Sequence, residues 1–157
     1  GRPDAFGECC TCISRRGNSV NSLTPVLDTI RISLHIAAVA VWVGGQLVVA
    51  AIVPKLRTGH HDALPLVAQG FARVAWPAFF IAIATGLWSL MAVDVSSTTI
   101  GYQVAMMLKV LAVLLSGAAA AAHSAGSSRA TKAIGGALGL VFALTALVLG
   151  VLIRSGA

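Results

Sequence analysis

Long apolar runs alternate with short polar stretches along this chain of 157 residues. Residues 32–53, 74–93 and 133–153 contain no charged side chain, and residues 100–122 contain only Lys109. Each run is close to the roughly 20 residues that a helix needs to cross a hydrocarbon core. The runs are continuous, whereas the strands of a membrane barrel alternate between apolar and polar positions. The pattern therefore predicts four transmembrane helices.

The predicted architecture is all-α: an integral membrane four-helix up-down bundle with a flexible N-terminal tail. Short connections make consecutive helices antiparallel neighbours. The tail, residues 1–27, has little apolar periodicity, and we expect the bundle to fold without it. The transmembrane domain spans residues 28–154, with helices at about residues 28–54, 71–93, 102–124 and 131–154.

The composition supports a membrane protein in contact with the lipid bilayer. Apolar residues make up 57% of the chain and charged residues 10%, whereas soluble domains carry about 25% charged residues. The formal net charge is +6, but the basic residues are dispersed and no basic helix is interleaved with aromatic residues. This distribution is unlike that of nucleic-acid-binding proteins, so no nucleic acid is expected as a partner.

The distribution of basic residues also bears on orientation in the cell membrane. The loop between the second and third helices has no Lys or Arg, which places this loop outside by the positive-inside rule. In a four-helix bundle both termini then lie outside as well. Arg2, Arg15 and Arg16 of the tail argue for the opposite orientation.

Small residues recur at four-residue spacing in the fourth helix, at Gly135, Gly139 and Ala143. Small residues at this spacing let two helix backbones approach closely within a membrane. The stripe predicts either a contact with the third helix inside the bundle or a homodimer face, and we favour the contact inside the bundle.

A histidine, a tryptophan and a glutamine lie within the first apolar run. His35, Trp42 and Gln46 are separated by seven and four positions, which places them on one face of the helix. Lys109 lies about seven residues into the third helix, as His35 does in the first. The two helices run in the same direction, so both side chains should lie about 10 Å from the same membrane surface.

The coincidence of depth favours a shared site over two isolated polar side chains. His35 alone is accounted for by a hydrogen bond to a neighbouring helix, and Lys109 by extension toward the surface. Together they could hold a haem iron from two sides, or a copper ion with Met106, one turn before Lys109. His123 is a further candidate metal ligand, but it should lie near the opposite surface.

Two other groups of residues have metal-binding chemistry. The consecutive residues His60, His61 and Asp62 fall in the first predicted loop, where histidines are usually solvated. The three cysteines of the tail, in the sequence CCTC, could hold a soft metal such as Cu(I). Their number is odd and their spacing is not that of a zinc site, so both groups are weaker candidates. The cysteines are Cys9, Cys10 and Cys12.

Three segments resemble the CopD-like copper-resistance membrane domain. The first, LHIAAVAVWVGGQLVVAAIVPKL, has a His followed seven residues later by Trp and then by Gly-Gly. The second, FARVAWPAFFIAIATGLWSL, has Arg near its start and Thr-Gly near its end. The third, MLKVLAVLLSGAAAAAH, is similar to the Lys-bearing helix that follows in the family. The resemblance covers about residues 28–124.

The same His and Lys positions are similar to those of the HemJ-type protoporphyrinogen oxidases, which are thought to bind haem b through a His and a Lys. This resemblance implies that His35 and Lys109 are haem ligands here. The Gly-Gly pair after Trp42 is nearer to the CopD-like pattern.

We therefore expect a CopD-like integral membrane protein with haem b or copper bound between the first and third helices. Trp42 and Gln46 are included as cofactor-binding residues beside His35 and Lys109. The expected role is metal handling or membrane electron transfer. The alternatives are a non-catalytic accessory subunit of a larger membrane complex and, third, a HemJ-type porphyrinogen oxidase.

Overall fold

The computed structural model describes residues 24–59, 62–94 and 98–155, which form four α-helices joined by short connections. No strand occurs in these three ranges. The all-α four-helix architecture is therefore confirmed. The helices are α1 (Thr24–Gly59), α2 (Ala63–Met91), α3 (Ile100–Ala125) and α4 (Arg129–Ser155).

All four helices are long and apolar enough to cross a membrane. Only 17–22% of the most apolar stretch of each helix is buried inside the protein. Large aliphatic side chains such as Ile36, Leu114 and Val148 instead lie on the outer surface. A water-soluble bundle would bury such side chains, so this surface indicates a multi-pass membrane protein.

The helices pack as two antiparallel hairpins. α1 packs along α2, α3 packs along α4, and α1 also contacts α4, whereas α2 and α3 make only sparse backbone contact. Side-chain contacts give the direction of each pair: His35, early in α1, meets Thr85, late in α2. Likewise Lys109, in the first half of α3, lies against Gly150, near the end of α4.

The first two helices are longer than their apolar runs predicted. α1 continues past Pro54 to Gly59, and α2 begins at Ala63 instead of near residue 71. The prediction placed the helix ends near the ends of the long uncharged runs, but the adjoining turns, basic in α1 and uncharged in α2, are also helical. Pro65 lies in the first turn of α2, where a backbone N–H has no acceptor within the helix. The absence of this N–H in proline therefore costs no hydrogen bond. α1 also begins four residues before its predicted start.

The interface between α3 and α4 is built from small residues. Gly135, Gly139, Ala143 and Ala146 are buried on α4. A Cβ atom added at Gly135 would lie 2.9 Å from the backbone oxygen of Ala119. The small-residue stripe predicted from the sequence therefore packs against α3 inside the bundle.

Replacement of Gly135 by Ala should destabilise the bundle. The added methyl group would meet backbone atoms of α3, so the two helices would have to separate. Overpacking of this kind lowers the free energy of unfolding by about 1–3 kcal/mol. Gly44→Ala is the matched control, because nothing lies within 4 Å of a Cβ at Gly44 and Ala is the better helix former. Thermal unfolding in detergent should show a lower midpoint for Gly135→Ala alone. Equal midpoints for the two variants would contradict the close approach of α3 and α4.

Candidate functional site

His35 lies half-buried at the interface of α1 and α2. Its Nδ1 is 2.9 Å from Oγ1 of Thr85, and that hydroxyl donates to the backbone oxygen of Ile81 at 2.7 Å. The Cε1 edge of the ring faces Gly86, where an added Cβ would lie 3.4 Å away. The imidazole is therefore held by one turn of α2. Because Gly86 has no side chain, α2 does not cover the Cε1 edge of the ring at this position.

Lys109 is half-buried on α3 and lies beside α4. A Cβ added at Gly150 would lie 3.2 Å from its Nζ, so the amine packs closely against this glycine. Lys109 is also an electrostatic neighbour of His35. The structure thus brings these two nitrogen-bearing side chains, from α1 and α3, into one region of the bundle.

Arg31 lies one turn before His35 and was not among the candidates from the sequence. Its side chain is only 11% exposed, and its Nη2 lies 3.2 Å from Oδ1 of Asp28. The guanidinium also lies over the ring of Trp88, 5.8 Å from the centroid. The four-residue spacing from His35 is the signal that could have identified it, because it places both side chains on one face. Arg31 therefore places a largely buried cation, paired with Asp28, one turn from His35.

Trp42 belongs to the packed centre of the bundle. It is 6% exposed, and its ring lies 4.4 Å from that of Phe79 between centroids. Its Nε1 donates to Oγ of Ser116 at 3.2 Å, and Ser116 donates to the backbone oxygen of Gly139 at 2.9 Å. This chain of hydrogen bonds links α1, α3 and α4 and uses the polar atom of the indole.

Gln46 lies beyond Trp42 on the same face of α1. Its Oε1 would lie 3.7 Å from a Cβ at Gly139, and its Nε2 is buried with no hydrogen-bond partner in the part of the chain that the structure describes. Trp42 and Gln46 are about 10 and 16 Å from His35 along the helix axis. The four residues predicted to bind a cofactor therefore fall into two layers: His35 with Lys109, and Trp42 with Gln46.

The remaining metal candidates, Met106 and His123, lie in opposite halves of α3. Met106 is partly buried on α3, one turn before Lys109. His123 lies at the other end of α3, where its Nδ1 is hydrogen-bonded to the backbone oxygen of Lys132. Its ring packs against Gly136, so it joins the end of α3 to the start of α4.

The loop and tail candidates fall largely outside the structure's coverage. His60, His61 and the three tail cysteines are not among the described residues, whereas Asp62 immediately precedes α2. Within residues 24–59, 62–94 and 98–155, no three His, Cys, Asp or Glu side chains are grouped as a metal site. Any metal held by the described residues must therefore use fewer of these side chains or other donors.

Comparison with known proteins gives no assignment: no family model, curated protein or solved structure matches the chain significantly. Function is therefore inferred from the chemistry of the two polar layers.

Removal of the Ser116 hydroxyl should destabilise the bundle. In Ser116→Ala the buried indole N–H of Trp42 has lost its acceptor, and an unsatisfied buried donor costs about 1–3 kcal/mol. Ser124→Ala is the matched control, because Ser124 is exposed and bonds only its own helix. Thermal unfolding and indole fluorescence should change in Ser116→Ala and remain near wild type in Ser124→Ala. Unchanged stability in both variants would show that the hydrogen bond between Trp42 and Ser116 makes no measurable contribution to the stability of the bundle.

Proposed function

We propose that this chain is a CopD-like protein of the cell membrane that binds haem b or copper between α1 and α3, for metal handling or membrane electron transfer. The proposal rests on Lys109 of α3 being close enough to His35 of α1 to act on it electrostatically. Each side chain lies against a glycine of a neighbouring helix, Gly86 or Gly150. The CopD-like sequence pattern of α1 to α3 is the second support.

The side chains present suit either group. Nδ1 of His35 is already engaged by Thr85, which leaves Nε2 for a metal ion. Imidazole is a ligand for both iron and copper, and the thioether of Met106 would favour Cu(I). The amine of Lys109 is a second nitrogen donor once it has lost its proton. When bound, haem or copper would supply one-electron chemistry.

The position of Lys109 is the strongest argument for a bound group. Ionisable side chains within membrane helices are costly, and they pair with other groups or line a functional site. His35 has the Thr85 hydroxyl as a partner. For Lys109, no hydrogen bond or ion pair is found among the described residues, although its amine packs against Gly150. A haem iron or a copper ion would provide the partner that the bundle itself lacks.

His35→Ala should remove most of the haem or copper from purified protein. The experiment is an absorption spectrum and a metal analysis of the same sample, from cells replete in both. Lys109→Met should shift the spectrum or lower the metal content, because it removes a nitrogen and keeps an unbranched stem. His123→Ala is the control: it removes an imidazole at the opposite end and should leave the content per folded protein near wild type.

Wild-type protein that carries neither haem nor copper would overturn the proposal, and so would full metal content in His35→Ala. Either result would favour the accessory-subunit alternative, which stoichiometric partners in the purified sample would then support. Porphyrinogen oxidation by the haem-bound protein would instead favour the HemJ-type enzyme.

The proposed orientation places both termini outside the cell membrane. Lys55, Arg57, Arg129 and Lys132 flank the two connections at one end of the bundle, whereas the connection between α2 and α3 has no basic residue. The end with these two basic connections is assigned to the cytoplasm, because positively charged loops are retained there.

Cysteine labelling tests this orientation in a variant whose three native cysteines are replaced by Ser. A Cys at Asp94 should react with a membrane-impermeant maleimide in intact cells. A Cys at Ser127 should react only after the cells are permeabilised. The reverse pattern would invert the orientation, and reaction of both in intact cells would show that the number of spans is wrong.

A further inference from the structure

We propose that Thr85 is a positioning residue that fixes His35 in the tautomer with hydrogen on Nδ1, so that Nε2 carries the lone pair. The inference rests on the proposed function for its purpose, since a metal binds the unprotonated nitrogen of a neutral imidazole. The tautomer itself follows from the hydrogen bonds of the protein.

The direction of the hydrogen bond between Thr85 and His35 is set by the single hydrogen of the hydroxyl group. The shortest contact of Thr85 Oγ1 is with the backbone oxygen of Ile81, at 2.7 Å. A carbonyl oxygen can only accept, so the hydroxyl donates to it. We therefore assign Thr85 Oγ1 as the acceptor at its 2.9 Å contact with Nδ1 of His35, which places the hydrogen on Nδ1.

The surroundings of the ring favour the same tautomer. The backbone oxygen of Ala82 lies 3.2 Å from the Thr85 hydroxyl oxygen and is also a neighbour of the His35 ring. The opposite tautomer would take the hydrogen from Nδ1, which faces the Thr85 oxygen, and place it on Nε2. Among the described residues no hydrogen bond to Nε2 is found, so that N–H would be half-buried without a protein acceptor, which is unfavourable.

Thr85 is well suited to hold the imidazole still. It is 6% exposed, and its hydroxyl is fixed to its own helix by the bond to Ile81. The backbone oxygen of Thr85 also accepts from Ser89 Oγ at 2.9 Å. A β-branched side chain has little rotameric freedom in a helix. The hydrogen-bond acceptor for His35 is thus part of the rigid surface of α2, a common arrangement for ligands of metals.

The test is nitrogen NMR of metal-free protein labelled with ¹⁵N-histidine, at a pH where the imidazoles are neutral. The chain has four His residues, and the signals of His35 are identified by their loss in His35→Gln. The expected wild-type spectrum shows a protonated Nδ1 and an unprotonated Nε2. Thr85→Ser keeps the acceptor and should give the same spectrum. Thr85→Val keeps the shape without the acceptor and should shift the population toward hydrogen on Nε2.

Metal binding provides the second measurement. With copper or haem titrated into the same proteins, Thr85→Val should bind about 10- to 100-fold more weakly, and Thr85→Ser should bind nearly as wild type. A wild-type His35 with hydrogen on Nε2 would overturn the inference, even if the metal binds. A Thr85→Val protein with an unchanged tautomer would also overturn it. If neither haem nor copper binds to wild type, the proposed function fails, while the tautomer result still decides the role of Thr85.

Discussion

The hydrogen-bond chain from Trp42 through Ser116 to Gly139 fixes how the two hairpins face each other. A bilayer supplies no hydrophobic force that draws helices together, so close packing and hydrogen bonds between helices must set their arrangement. These two hydrogen bonds connect α1 to α3 and α3 to α4, so they join the first hairpin to both helices of the second. At Gly117, an added Cβ would lie 2.5 Å from the Phe79 ring. Because Gly117 has no side chain, Phe79 of α2 can pack against α3 at the centre of the bundle. These contacts fix the rotation of α1 and α3, the helices that carry His35 and Lys109.

The helices were predictable because their signal lies in each segment separately. An uncharged run of about 20 residues is sufficient evidence of a span, and the up-down order follows from short connections. The same reasoning placed His35 and Lys109 at one depth, since depth depends only on position along the helix. The ends of α1 and α2 were not predictable in this way, because the turns near Arg57 and Pro65 lie outside the long uncharged runs that identify the spans.

The rotation of each helix about its own axis could not be predicted from the sequence. The spacing of His35, Trp42 and Gln46 put them on one face, but could not show that the indole N–H already has a protein partner. It likewise gave no role to Thr85, although a threonine is conspicuous in the apolar run of α2. Which side chain of α2 faces His35 depends on the relative rotation of two helices, and that is set by packing partners distant in sequence. The tertiary contacts therefore divide the polar face of α1 into two parts. Trp42 belongs to the packed centre of the bundle, and His35 remains a candidate ligand.

Each layer combines polar groups that the protein satisfies with groups that it does not. Around Trp42, the indole N–H and the Ser116 hydroxyl are matched within the protein, whereas Nε2 of Gln46 is buried with no hydrogen-bond partner among the described residues. Around His35, the protein satisfies Nδ1 and leaves Nε2 and the nearby amine of Lys109 without a protein hydrogen bond among the described residues. Thr85 supports a neutral imidazole there, and glycines keep Cβ atoms away from the ring edge and the amine. In the function proposed above, a bound metal or haem would use both His35 and Lys109, whereas a histidine that only joins α1 to α2 needs no second nitrogen donor.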